Sequence, residues 1–168
     1  MSELADAAAQ ADILAQDGSE RELADLRATW GDDLEASARS ADFRERAVAY
    51  RAIGQFRWRA KEELLRRGLD DGSPAARGSA LLSLELLSRD HPSTVNSVRP
   101  LLHKVLADGD ENSAVRRLAV MALRNGSPQR DTIVLLEGLS VDDGADGDLR
   151  RAAGSVVQGL KRKAEAQR

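Results

Sequence analysis

Hydrophobic positions recur along this chain at intervals of three and four, broken at regular distances by short polar turns. The pattern is clearest from residue 57 onward. Trp58, Leu64, Leu65 and Leu69 precede the turn Asp70-Asp71-Gly72-Ser73-Pro74, and Ala76, Ala80, Leu81, Leu84 and Leu87 follow it. Val95, Val98, Leu101, Leu102, Val105 and Leu106 lead to Asp108-Gly109-Asp110, and Val115, Leu118, Ala119, Ala122 and Leu123 return to a stop at Asn125-Gly126. Ile133 to Leu136 and Leu139 lead into a glycine-rich turn from Val141 to Asp148, and Leu149, Ala152, Val156, Val157 and Leu160 come back. Each apolar run has helical period, so each segment predicts two amphipathic helices joined by a turn.

The N-terminal third is less regular. Ser19 and Glu22 have the spacing of a capping box, ahead of Leu23, Leu26, Trp30 and Leu34 with a bend expected at Gly31. Asp42 caps a second helix carrying Phe43, Ala47, Tyr50 and Ile53, with Gly54 as its expected stop. Residues 2–16 can form a helix, but the segment is acidic, Ala-rich and anchored only by Leu4, Ile13 and Leu14, which predicts that residues 1–18 are a frayed or mobile arm ending at Gly18. At the other end, Lys161 to Arg168 is polar, and residues 164–168 are expected to fray.

The helical segments also repeat one another. A Leu pair, a further Leu, an acidic turn, then Arg followed three residues later by Ala occurs with Leu64-Leu65, Asp71, Arg77 and Ala80. It occurs again with Leu101-Leu102, Asp110, Arg116 and Ala119, and more loosely with Leu135-Leu136, Asp143, Arg150 and Ala153. Arg44 and Ala47 keep the last part of the phrase without its acid. Repetition with a period of roughly 35–40 residues marks stacked helical hairpins. This phrase resembles the HEAT repeat and, more broadly, HEAT-like and armadillo-like α-solenoids, well over residues 57–163 and loosely over 19–56. The resemblance implies an all-α, right-handed α-solenoid of hairpins at 19–56, 57–90, 91–126 and 127–163. It further implies second arms lining a concave surface that binds protein or, less often, nucleic acid.

Composition fits helices packed by small and aliphatic side chains: 3% of residues are aromatic and none is Cys, which removes disulfides and thiolate metal sites. The first residues carry no apolar run of signal-peptide length, so a cytoplasmic protein without membrane attachment is expected. Charge comes in blocks. Residues 1–38 hold 10 acids and 2 bases, residues 39–67 hold 4 and 9, and residues 148–168 hold 2 and 6. The basic stretch Arg57, Arg59, Lys61, Arg66, Arg67 suits an acidic partner or a phosphate backbone, or is neutralised in cis by the acidic N-terminal segment. The net charge of −3 and the scarcity of aromatics make nucleic acid the second choice behind a protein partner.

Chemistry-bearing groups are few. His91 and His103 have no carboxylate or second His at helical ligand spacing, and no His-Glu dipeptide of the iron-binding HEAT-like hydroxylases occurs. Asp143-Gly144-Ala145-Asp146-Gly147 lacks the acid alternation and closing Glu of a calcium loop. The expectation is therefore a non-enzymatic adaptor, scaffold or regulatory subunit with no cofactor and no metal. Arg44, Arg77, Arg116 and Arg150 either form a ladder for acidic groups or phosphates, or bond the turn acid of their own or the neighbouring repeat and so tie hairpins together; the second reading is preferred because an Asp six residues earlier recurs with two of them. Contact residues are expected at Arg77, Ser83, Arg117, Arg124 and Arg151, with Arg57, Trp58 and Arg59 at the edge. Trp58 is read either as a partner hot spot or as part of a terminal cap with Trp30 and Phe43.

Overall fold

The computed structural model describes residues 2–168, and among them it contains ten α-helices and no strand. The all-α expectation holds. In chain order the helices are α1 (Glu3–Gln16), α2 (Glu20–Ala38), α3 (Phe43–Gln55), α4 (Glu62–Gly68), α5 (Pro74–Ser88), α6 (Ser93–Asn96), α7 (Arg99–Ala107), α8 (Ser113–Leu123), α9 (Arg130–Ser140) and α10 (Gly147–Ala166), with a 3₁₀ turn at Arg59–Lys61. The chain divides into two compact units, one ending at Leu87 and the other running from Ser88 to Arg168.

In the first unit, α1, α2 and α3 pack against one another and α4 packs on α3. The segment expected to be a frayed or mobile arm is, over Glu3–Gln16, a docked helix. Ser2 caps it by accepting from the Ala5 amide at 3.1 Å, and its Leu4, Ala7, Ala8 and Ala11 are buried. Alanine has the highest helix propensity and lets helices approach closely, so a row of alanines can dock a helix that counting large anchors would leave loose. The helix ends in a Schellman turn, with Gly18 left-handed at φ 73° and the Ser19 amide donating to the Leu14 carbonyl at 2.9 Å. That turn feeds directly into α2, and the capping box expected at Ser19 does not form: its side chain makes no cap hydrogen bond.

Helix α3 begins as expected, with Asp42 Oδ1 accepting from the Arg44 amide at 2.9 Å. Its stop is displaced. The helix runs past Gly54 and closes through Arg57, which adopts φ 53° while the Trp58 amide donates to the Ile53 carbonyl at 3.0 Å. Gly54 has another use: a Cβ there would lie 2.6 Å from Ser83 Oγ and 2.7 Å from Ser83 Cα. The glycine lets α5 approach α3, and the left-handed turn falls three residues later.

In the second unit, α7 packs on α8, α8 on α10, and α9 on α10. Asn112 caps α8, and Asp146 caps α10 by accepting from the amides of Asp148 and Leu149 at 3.0 and 3.2 Å. Pro100 stands in the first turn of α7, where its missing N–H is no loss. The C-terminal stretch is helical through Ala166 rather than frayed from 164. One face of α10 is buried at Leu149, Ala153, Val156, Val157 and Leu160, and Lys163 Nζ donates to the Arg124 carbonyl at 2.8 Å.

Candidate partner-binding site

The repeated arginines do not form a solvent-facing ladder. Arg77 Nη1 donates to the carbonyl of Asp71 at 2.8 Å, six residues back across its own turn. Arg116 is buried and donates from Nη2 to the Leu106 carbonyl at 2.7 Å, near the end of α7. Both reach a backbone carbonyl, an acceptor that the repeated phrase does not show. Leu106 is in the last turn of α7, whose carbonyls lack intrahelical donors and carry the negative end of the dipole, so the Arg116 guanidinium there meets two requirements at once. Arg150 lies 3.7 Å from the exposed turn acid Asp143. Arg44 sits over the Phe43 ring, 5.4 Å from its centroid.

The acid of the Asp71 turn is taken by a residue outside the repeated phrase. Arg46 forms a fork on both Asp71 oxygens, at 2.7 and 2.9 Å, and donates to the carbonyls of Ser40 and Ala41 at 3.0 Å. The Asp71 side chain is only 5% exposed, and the hydrogen bond from Arg46 holds its carboxyl below the usual range. Tyr50 Oη completes the group at 3.4 Å. The signal for Arg46 was its place one turn into α3, facing the next hairpin's acid, rather than any motif.

Ser83, expected to contact a partner, is fully buried. Its hydroxyl donates to the carbonyls of Tyr50 and Arg51 and accepts from the Gly54 amide at 3.0 Å, which makes it a joint between α5 and α3.

Arg57, Trp58 and Arg59 belong to one clamped turn. Arg57 Nη1 lies 2.8 Å from Asp12 Oδ1 on α1 and donates to the carbonyls of Gly54 and Gln55 at 3.0 and 3.2 Å. From α2, Arg27 donates to the carbonyls of Phe56 and Arg57 at 2.8 and 3.1 Å. The Trp58 ring meets Phe56 edge-on at 5.9 Å and carries Lys61 Nζ 5.1 Å from its centroid. A Cβ on Gly31 would stand 3.1 Å from its far edge, so Gly31 makes room for the indole inside an unbroken α2. Lys61 also reaches Glu35 at 2.6 Å, and that bond lowers the Glu35 carboxyl. Arg57 and Lys61, two of the five bases in the basic stretch, are therefore neutralised in cis. Arg59 is exposed and near Glu62 at 3.4 Å.

Three expected contact residues are exposed in the second unit: Arg117 and Arg124 at a spacing of seven in α8 and just past its end, and Arg151 in the first turn of α10 beside Asp148. Their helices pack on each other. His103 on α7 is half-buried, with Nε2 2.8 Å from Thr132 Oγ1, and burial lowers its pKa. Among the described residues no group of three or more His, Asp or Glu side chains is placed to hold a metal ion, and no helix is long and apolar enough to cross a membrane. A scan against protein-family models finds no match to this chain, and a search of curated proteins finds none either.

Proposed function

We propose that the chain is a short HEAT-like α-solenoid that acts without catalysis, as an adaptor, scaffold or regulatory subunit binding another protein through its second arms. The observation that carries this reading is the sorting of its arginines. Two of the four at the repeated position, Arg77 and Arg116, bond backbone carbonyls of Asp71 and Leu106 within their own hairpins. Arg117, Arg124 and Arg151 stand outward on the neighbouring second arms α8 and α10. A guanidinium on a packed helix presents a planar fork of donors to acidic groups, a common contact at protein interfaces. The pairing of α8 with α10, and of each with its preceding helix, is the nearest-neighbour arrangement of a repeat array.

Nucleic acid is the alternative ligand, and it loses part of its footing because Arg57 and Lys61 are paired with Asp12 and Glu35. The deciding experiment is affinity capture from lysate with wild type and with R117E/R124E/R151E, with and without nuclease. Proteins enriched by wild type, lost with the variant and indifferent to nuclease support the proposal. Enrichment untouched by the three reversals, or abolished by nuclease, overturns it.

A further inference from the structure

Asn125-Gly126, just past the end of α8, is the only Asn-Gly pair in the chain. That dipeptide is chemically labile. The glycine nitrogen, unhindered by a side chain, attacks Cγ of the asparagine: an N–Cγ bond forms, the Cγ–Nδ2 bond breaks, and the amide proton leaves with Nδ2 as ammonia. Water then opens the cyclic imide at either carbonyl, leaving aspartate or isoaspartate. Water is the one co-reactant, so what restrains the reaction is the fold.

Both reacting groups are held. The Gly126 amide donates to the Leu123 carbonyl at 3.0 Å, and Asn125 Nδ2 donates to Oγ of the fully buried Ser88 at 3.0 Å. Gly126 is buried, and a Cβ there would stand 3.1 Å from Asn96 Oδ1 and 3.2 Å from Val95 Cγ1. From α10, Lys163 Nζ donates to the carbonyls of Arg124 and Gly126 at 2.8 and 3.4 Å, spanning the residues on either side of Asn125. The ring cannot close until the Gly126 nitrogen leaves Leu123 and the Asn125 side chain turns away from Ser88.

We propose that Asn125 is a site of spontaneous deamidation that this network keeps closed, reacting each time the segment after α8 opens. The rate is then the intrinsic rate of the dipeptide multiplied by the open fraction, the same relation that governs amide hydrogen exchange. Closing again does not undo the product. Either acid lacks the donor that Asn125 gives Ser88. Isoaspartate also carries the backbone through the former side chain, adding a methylene between the two carbonyls that Lys163 spans, so the end of α10 loses its hold on α8. The Asp-Gly pairs of other turns resist attack while their carboxylates are ionised, and Asp71, fixed by the fork from Arg46, is the clearest case. This chemistry is independent of the proposed adaptor role.

Peptide mapping by mass spectrometry, on the full chain held at mildly alkaline pH for increasing times, follows Asn125 directly. The chain unfolded in urea should deamidate there freely, and folded wild type far more slowly. Ser88→Ala should speed the folded protein's reaction about fivefold, the change in open population for one hydrogen bond of ordinary net strength. Lys163→Met, at an exposed position, should speed it as well, and it carries the test alone if circular dichroism shows that Ser88→Ala does not fold. Hydrogen exchange of the Gly126 amide should rise in the same ratio as deamidation. A folded wild type that reacts at Asn125 as fast as the unfolded chain, or folded variants that leave the rate unchanged, overturns the proposal.

Discussion

A single atom decides how α5 meets α3. The hydrogen of Gly54 stands where a methyl group would press into Ser83 from 2.6 Å, and the clash includes backbone Cα at 2.7 Å, which no rotamer change relieves. Gly54→Ala should therefore destabilise by about 1–3 kcal/mol through overpacking. Ser83→Ala, which removes the bridging hydroxyl but keeps the spacing, should cost about 1–2 kcal/mol. Urea unfolding of the two variants checks the ranking, and a Ser83→Ala loss exceeding that of Gly54→Ala would refute it. Arg57 offers a second comparison at this scale. Its left-handed backbone is unfavourable for any residue with a Cβ, and its guanidinium offsets that by bonding two carbonyls and Asp12. Arg57→Ala should lower stability by about 1–2 kcal/mol, while Arg57→Gly should regain about 0.5–1 kcal/mol of that loss by relieving the φ strain.

At the scale of elements, α1 is structural. Its buried Leu4, Ala7, Ala8 and Ala11 and the Asp12 bond to Arg57 tie it into the same unit as α2 and α3. Deleting residues 1–17 should speed amide hydrogen exchange across α3, whose Ala49, Ala52 and Ile53 are buried. Exchange rates in α3 that do not change would return α1 to the status of a loose arm. The helical segments were legible in the sequence because apolar residues at helical period have one way to be buried. The partners of the polar residues were not legible, for a physical reason. Gly54 and Ser83 are 29 residues apart, and Arg46 and Asp71 are 25 apart, so each pairing depends on how two helices cross. A repeated phrase cannot show whether its arginine reaches a carboxylate or the carbonyl beside it. The carbonyl acceptors of Arg77 and Arg116 were not foreseen, and Ser83 was expected at a partner contact because a lone serine in an apolar run carries no sign of burial.

For the whole molecule, acidity acts through different groups in each unit. Burial lowers His103 below its ordinary 6.5, so the folded second unit favours neutral imidazole. Its contribution is complete above that pH and is lost as pH falls from 6.5 toward the folded value, because the unfolded chain takes up the proton first. Melting temperature measured from pH 7.5 to 5 should decline less in His103→Gln than in wild type. In the first unit, Asp71 and Glu35 are held below their ordinary 3.8 and 4.5, chiefly by hydrogen bonds from Arg46 and Lys61. Their contribution persists above those values and is lost only as pH falls through the lower, folded ones.

The guanidinium-to-carbonyl bonds carry a different consequence. A carbonyl acceptor has no proton to gain in this range, and arginine has none to lose, so the turns held by Arg27, Arg77 and Arg116 are indifferent to acid. In strong acid the chain should lose the Asp71 group first while these turns stay fastened. Far-ultraviolet dichroism would then outlast the near-ultraviolet signal of Tyr50, whose hydroxyl shares Asp71, leaving an intermediate whose corners survive its ion pairs.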